Sequence, residues 1–77
     1  MRYDFRSAAQ ALTPAQRQMV ESMRANGGQT FLADVARGSN AHRAASAWWR
    51  VCQALERQGV VRRVRDRHGL VDAFELV

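Results

Sequence analysis

The run Leu55-Glu56-Arg57-Gln58-Gly59-Val60-Val61 is where a helical pattern stops and a strand pattern begins. Glycine permits the left-handed turn that closes a helix, and the stretch beyond it, Val60-Val61-Arg62-Arg63-Val64-Arg65, is rich in β-branched residues that suit a pleated chain. Upstream, spacing residues at about 100° gathers Ala41, Ala44, Ala45, Trp48, Val51, Cys52 and Leu55 into one arc. Arg43, Ser46, Arg50, Gln53 and Arg57 fall on the other side. The spacing predicts a long helix from Ala41 to about Gln58, with one core face and one polar face bearing three arginines.

Downstream, Asp66-Arg67-His68-Gly69 is a turn candidate, and Leu70-Val71-Asp72-Ala73-Phe74-Glu75-Leu76-Val77 alternates as a half-buried strand does. A C-terminal β-hairpin is expected, with Arg65, Arg67 and His68 at its tip. One register sets Arg63 opposite Asp72, but a one-residue slip changes every facing.

Toward the N-terminus, Gly38-Ser39-Asn40 separates the long helix from a shorter one. Glycine ends the first and Ser39 or Asn40 is placed to cap the second. Gln29-Thr30 is open to reading as a single extended step, after which Thr30 is placed to cap that short helix, expected from Phe31 to about Arg37 with Leu32, Val35 and Ala36 inward. Before it, Thr13-Pro14 signals another helix start, because threonine caps free amides and proline at the first position gives up an N–H without a partner. Ala15, Met19, Val20 and Met23 then form an apolar stripe that Asn26-Gly27-Gly28 terminates. Residues 1–12, which include Ser7-Ala8-Ala9-Gln10-Ala11, read as an arm or a short helix, and residues 13–77 as one domain.

With 77 residues, 47% of them hydrophobic and 25% charged, the chain has the composition of a small globular domain. Its apolar runs are too short to span a bilayer and the first residues lack the apolar stretch of a signal peptide, so a cytoplasmic location is expected. Cys52 is the sole cysteine, which excludes an internal disulfide and a cysteine-rich zinc site. On the apolar arc it is expected to be an inert core thiol. His42 and His68 lie far apart in sequence without clustered cysteines or carboxylates, so no metal and no cofactor is expected. No nucleophile, base and orienting group suggest an enzyme.

Charge is the strongest functional signal. All twelve basic residues are arginine, and between Arg37 and Arg67 stand eight of them with two acids, a local charge of +6. The rest of the chain carries four arginines and five acids, or −1, so the whole net charge of +5 resides in one segment. Arginine offers a planar fork of donors suited to phosphate and guanine edges, and a polyanion is the expected partner.

The order helix, short helix, turn, long helix, hairpin resembles a winged helix-turn-helix domain, an α+β and mainly α architecture of three helices and a C-terminal β-hairpin wing. The run Leu55 to Val61 is similar to the segment where the recognition helix of such regulators passes into the first wing strand. Thr30-Phe31-Leu32-Ala33-Asp34-Val35-Ala36 resembles their second helix. The chain departs from the pattern in lacking an apolar residue after Gly38 and in carrying the pair Trp48-Trp49.

The resemblance implies a sequence-specific double-stranded DNA-binding protein, a small transcriptional regulator acting without cofactor. Its long helix would enter the major groove through Ser39, Asn40, His42, Arg43, Ser46 and Arg50. Its wing would place Arg62, Arg63, Arg65, Arg67 and His68 on the flanking backbone or minor groove. A homodimer is expected, because one small module buries little DNA surface. Trp48 belongs to the core; Trp49 projects about 100° away and is open to four uses, a dimer contact, packing against the arm, burial at the edge or, less favoured, stacking on a base. The alternative is a winged-helix protein–protein interaction module, such as a phage or mobile-element protein that binds a host factor or polymerase.

Overall fold

The computed structural model describes residues 12–77, and the N-terminal arm expected over residues 1–12 lies almost entirely outside them. Helix α1 spans Pro14–Ala25, strand β1 Gln29–Phe31, helix α2 Leu32–Val35 and helix α3 Ala41–Arg57, preceded by a 3-10 turn at Gly38–Asn40. Strands β2, Val61–Arg65, and β3, Val71–Leu76, complete the chain. The result is a mainly helical α+β domain that has, among the described residues, three α-helices and one antiparallel sheet ordered β1-β3-β2.

Local chemistry sets the helix ends. Thr13 Oγ1 accepts from the Gln16 amide at 3.1 Å while Gln16 Oε1 accepts from the Thr13 amide at 3.1 Å, a reciprocal cap with Pro14 just inside it. At the other extreme α3 closes in a Schellman turn, in which the Val60 amide donates to the Leu55 carbonyl at 3.0 Å and the Gly59 amide to that of Glu56 at 3.0 Å. Gly59 has φ +77, the left-handed value this closure needs.

Five expectations are corrected. The short helix is only Leu32–Val35, because Phe31 is extended (φ −118, ψ 139) and pairs with Ala73 as the last residue of β1. Thr30 does not cap it: its hydroxyl is buried under α3. Neither Ser39 nor Asn40 caps α3 through its side chain. The hairpin is the larger part of a three-stranded sheet, since Gln29, Thr30 and Phe31 pair with Glu75, Phe74 and Ala73. Ala15 is exposed rather than part of the apolar stripe.

Val20, Met23, Trp48, Cys52, Leu55, Val61 and Phe74 form the core. The middle of the predicted α3 arc, Trp48, Cys52 and Leu55, is at most 3% exposed. Its alanines and Val51 sit half-buried at the margins. Across the sheet, Thr30, Phe74 and Arg63 stand in one row facing α3. Trp48 lies on this row with its ring 5.3 Å from Phe74, and Trp49 lies beside it at 5.6 Å, both edge-on. The tryptophan pair is therefore the ridge on which the sheet rests, each ring burying apolar area while offering a favourable edge-to-face contact.

Candidate functional site

The polar side of α3 is accessible along its length. Arg43, Arg50 and Arg57 recur at seven-residue intervals, which places them on one stripe about 10 Å apart. All three are exposed, as are His42 and Ser46 on the adjoining rows, and Ser39 and Asn40 in the turn that leads into the helix. None of Arg43, Arg50 and Arg57 forms an ion pair among the described residues. Arg57 in the last turn also complements the negative end of the helix dipole.

Beside Leu32 of α2, the flank of α3 that carries Trp49 is concave. A cavity of about 470 Å³, open to solvent, is lined by apolar Leu32, Ala45 and Trp49 and by polar His42, Ser46, Arg50 and Gln53. Gln53 was not among the residues expected in a site. Its position seven residues after Ser46, on the same helical row, is the signal that marks it.

The hairpin arginines have different fates. Arg62, opposite Glu75 in the register, bonds that carboxylate at 2.6 Å on the outer face of the sheet. Arg63 is opposite Phe74 rather than Asp72, because Val64 pairs with Ala73 and Arg65 with Val71, leaving Asp72 as the extra residue of a bulge. Its guanidinium forks onto Glu56 of α3, Nη2 to Oε1 at 2.6 Å and Nε to Oε2 at 2.8 Å, and lies 5.5 Å from the centre of the Trp49 ring. That hydrogen bond, with the fields of Arg63, Arg65 and Arg57, outweighs partial burial and holds the Glu56 carboxyl below its ordinary value of 4.5.

At the tip, Asp66 Oδ1 accepts from the amides of His68 at 2.8 Å and Leu70 at 3.0 Å, so the carboxylate organises the turn. Arg65 donates to the Gly69 carbonyl at 2.8 Å, and Arg67 and His68 project as exposed side chains. Arg67 too forms no ion pair among the described residues.

Pairing thus divides the arginines. Among the described residues Arg37, Arg62 and Arg63 face acids, whereas Arg43, Arg50, Arg57 and Arg67, like Arg17, Arg24 and Arg65, do not. Because β2 meets α3 at Glu56 and Trp49, the Arg50 row lies about 100° round the helix from that seam, past Gln53 and Ser46. Among the described residues no group of three or more His, Cys, Asp or Glu side chains comes together, and no helix is long and apolar enough to cross a membrane. No protein-family model, no curated protein and no solved structure matches the chain.

Proposed function

We propose that this domain is a winged helix-turn-helix protein that binds double-stranded DNA and acts as a small transcriptional regulator. In this reading α3 enters the major groove and the β2–β3 hairpin is a wing on the flanking backbone or minor groove. The observation that carries it is the placement of four arginines that pair with no acid among the described residues: a stripe of three on the exposed face of α3 and a fourth, Arg67, at the hairpin tip. Cations held apart from carboxylates are available to neutralise phosphates and release their counterions, whereas Arg62 and Arg63 would first have to break a bond within the protein. The sheet order β1-β3-β2 agrees with a wing, since it leaves β2 on an edge beside the helix.

Within the interface, Arg43 and Ser46 near the start of α3 are the base-edge readers, arginine forking onto guanine O6 and N7. Arg50, Arg57 and Arg67 serve as phosphate contacts, with His68 beside the last. A homodimer on paired half-sites would supply the buried area that one module lacks.

The test is retention of a labelled duplex at about 50 and about 200 mM salt, with an acidic protein as competitor. The expected result is binding that falls steeply with salt and is lost in Arg43→Ala/Arg50→Ala. Absence of retention by the wild-type protein at low salt overturns the DNA reading in favour of a protein–protein interaction module.

A further inference from the structure

We infer that Glu56, an acid inside a cationic interface, is a positioning residue that fixes the wing against the recognition helix by holding Arg63. The inference rests on the DNA reading above and assigns to Glu56 and Arg63 a role that neither charge clustering nor exposure suggests.

Three features converge on this pair. The Glu56–Arg63 fork is the one side-chain hydrogen-bonded link between α3 and the hairpin among the described residues. The guanidinium carbon also lies over two aromatic rings, 5.5 Å from the Trp49 ring centre and 6.0 Å from that of Phe74, so the cation is held from a second direction. Both partners are about 30% exposed, whereas Arg62 in its outer-face pair is 68% exposed. A two-point contact beside two aromatic rings constrains orientation as well as distance, which a single surface ion pair does not. The bulge at Val64 and Arg65 follows immediately, and beyond it the strand pair leads to Arg67 and His68. The fork lies at the root of that projection, so a small rotation there displaces the tip.

The chemistry makes a prediction opposite in sign to simple electrostatics. Removing the Glu56 carboxylate raises the net charge by one and deletes a negative charge beside Arg57 and Arg65, which by itself tightens binding to a polyanion. Losing the link instead frees the hairpin, so that binding must first order it.

The experiment compares duplex binding by full-length wild type, Glu56→Gln, Arg63→Lys and a charge control, Glu21→Gln, on the exposed side of α1. Arg63→Lys keeps the charge but loses the two-point fork. The expected result is that Glu56→Gln and Arg63→Lys bind about three- to tenfold more weakly, with a salt slope shallower by about one phosphate. Glu21→Gln should bind as well as wild type or better. Amide exchange without DNA provides the second measurement: residues 62–65 should exchange faster in Glu56→Gln and Arg63→Lys, with Leu55 and Phe74 unchanged. Tighter or equal binding by Glu56→Gln with an undiminished slope overturns the inference, as does unchanged exchange in the hairpin. If the wild type does not retain duplex, the DNA reading fails on that result alone, and the exchange data still decide whether Glu56 holds the hairpin.

Discussion

The indole Nε1 of Trp48 donates a 3.0 Å hydrogen bond to Oγ1 of Thr30, tying the middle of α3 to the central residue of β1. Thr30 is 9% exposed and Trp48 3%, so neither group has ready access to water. An unpaired buried donor costs about 1–3 kcal/mol. Thr30→Val should therefore destabilise the domain by that amount in chemical denaturation, while Thr30→Ser, which keeps the hydroxyl, loses less. Equal stability of Thr30→Val and wild type would show that this bond contributes nothing.

Gly59 is the second point of sensitivity. A Cβ there would meet no heavy atom within 4 Å, so the cost of Gly59→Ala is confined to a left-handed backbone at φ +77. About 1–2 kcal/mol of stability should be lost, read as a lower denaturation midpoint. A glycine replaced in the middle of an ordinary helix would instead gain stability, which makes the sign diagnostic of the Schellman closure.

Burial leaves Cys52 fully inaccessible and pushes its thiol up to about 12 from an ordinary 9.0. The folded state thus holds its proton where the unfolded chain would release it. Stability is present in full below about pH 9 and declines as pH rises through the interval toward 12. A disulfide exchange reagent at pH 8 should modify the thiol only at the rate of unfolding, and rapid labelling of the native protein would contradict the buried placement.

Glu56 gives the opposite dependence. Its carboxyl is depressed below 4.5 by the Arg63 hydrogen bond, and Arg65 and Arg57 add to the effect. A depressed acid stabilises the folded state above its unfolded value and loses that contribution as pH falls through its folded value. Hairpin amides in residues 62–65 should remain protected through pH 5, after correction for intrinsic exchange, and loosen only below 4.5, where Glu56→Gln should show no further change.

The number of unpaired arginines sets the salt dependence. With Arg50, Arg57 and Arg67 on phosphates, and Arg43 on a base edge, a protomer should show a slope of about −3 in log affinity against log salt. If every arginine from Arg37 to Arg67 engaged phosphate, the slope would be about −7. Measurement over several salt concentrations distinguishes the two and tests whether internal pairing withholds Arg62 and Arg63.

Much of the helical framework was legible from local signals. Thr13-Pro14 and Gly59 carry their own backbone chemistry, and the α3 arc follows from the 3.6-residue period of a long amphipathic segment. Strand β1 was legible only as an extended step at Gln29-Thr30, because three residues give no periodicity and the pairing partner, β3, lies far along the chain. That pairing shortened the helix expected at Phe31 and put Thr30 under Trp48. The bulge at Asp72 was equally hidden, and with it the partner of Arg63.

Within the amino-acid order alone lay the concentration of arginine between Arg37 and Arg67, the two-sided character of α3 and the turn at Asp66. These depend on neighbours a few positions apart, whose relative placement is set by backbone geometry. Which guanidinium groups remain unpaired, and why two tryptophans stand together, was decided by the packing of the sheet on α3. Glu56 and Arg63 are seven positions apart, yet they meet only because β2 folds back along α3 in one register. A shift of one residue would turn Arg63 to the outer face of the sheet and leave Glu56 without it.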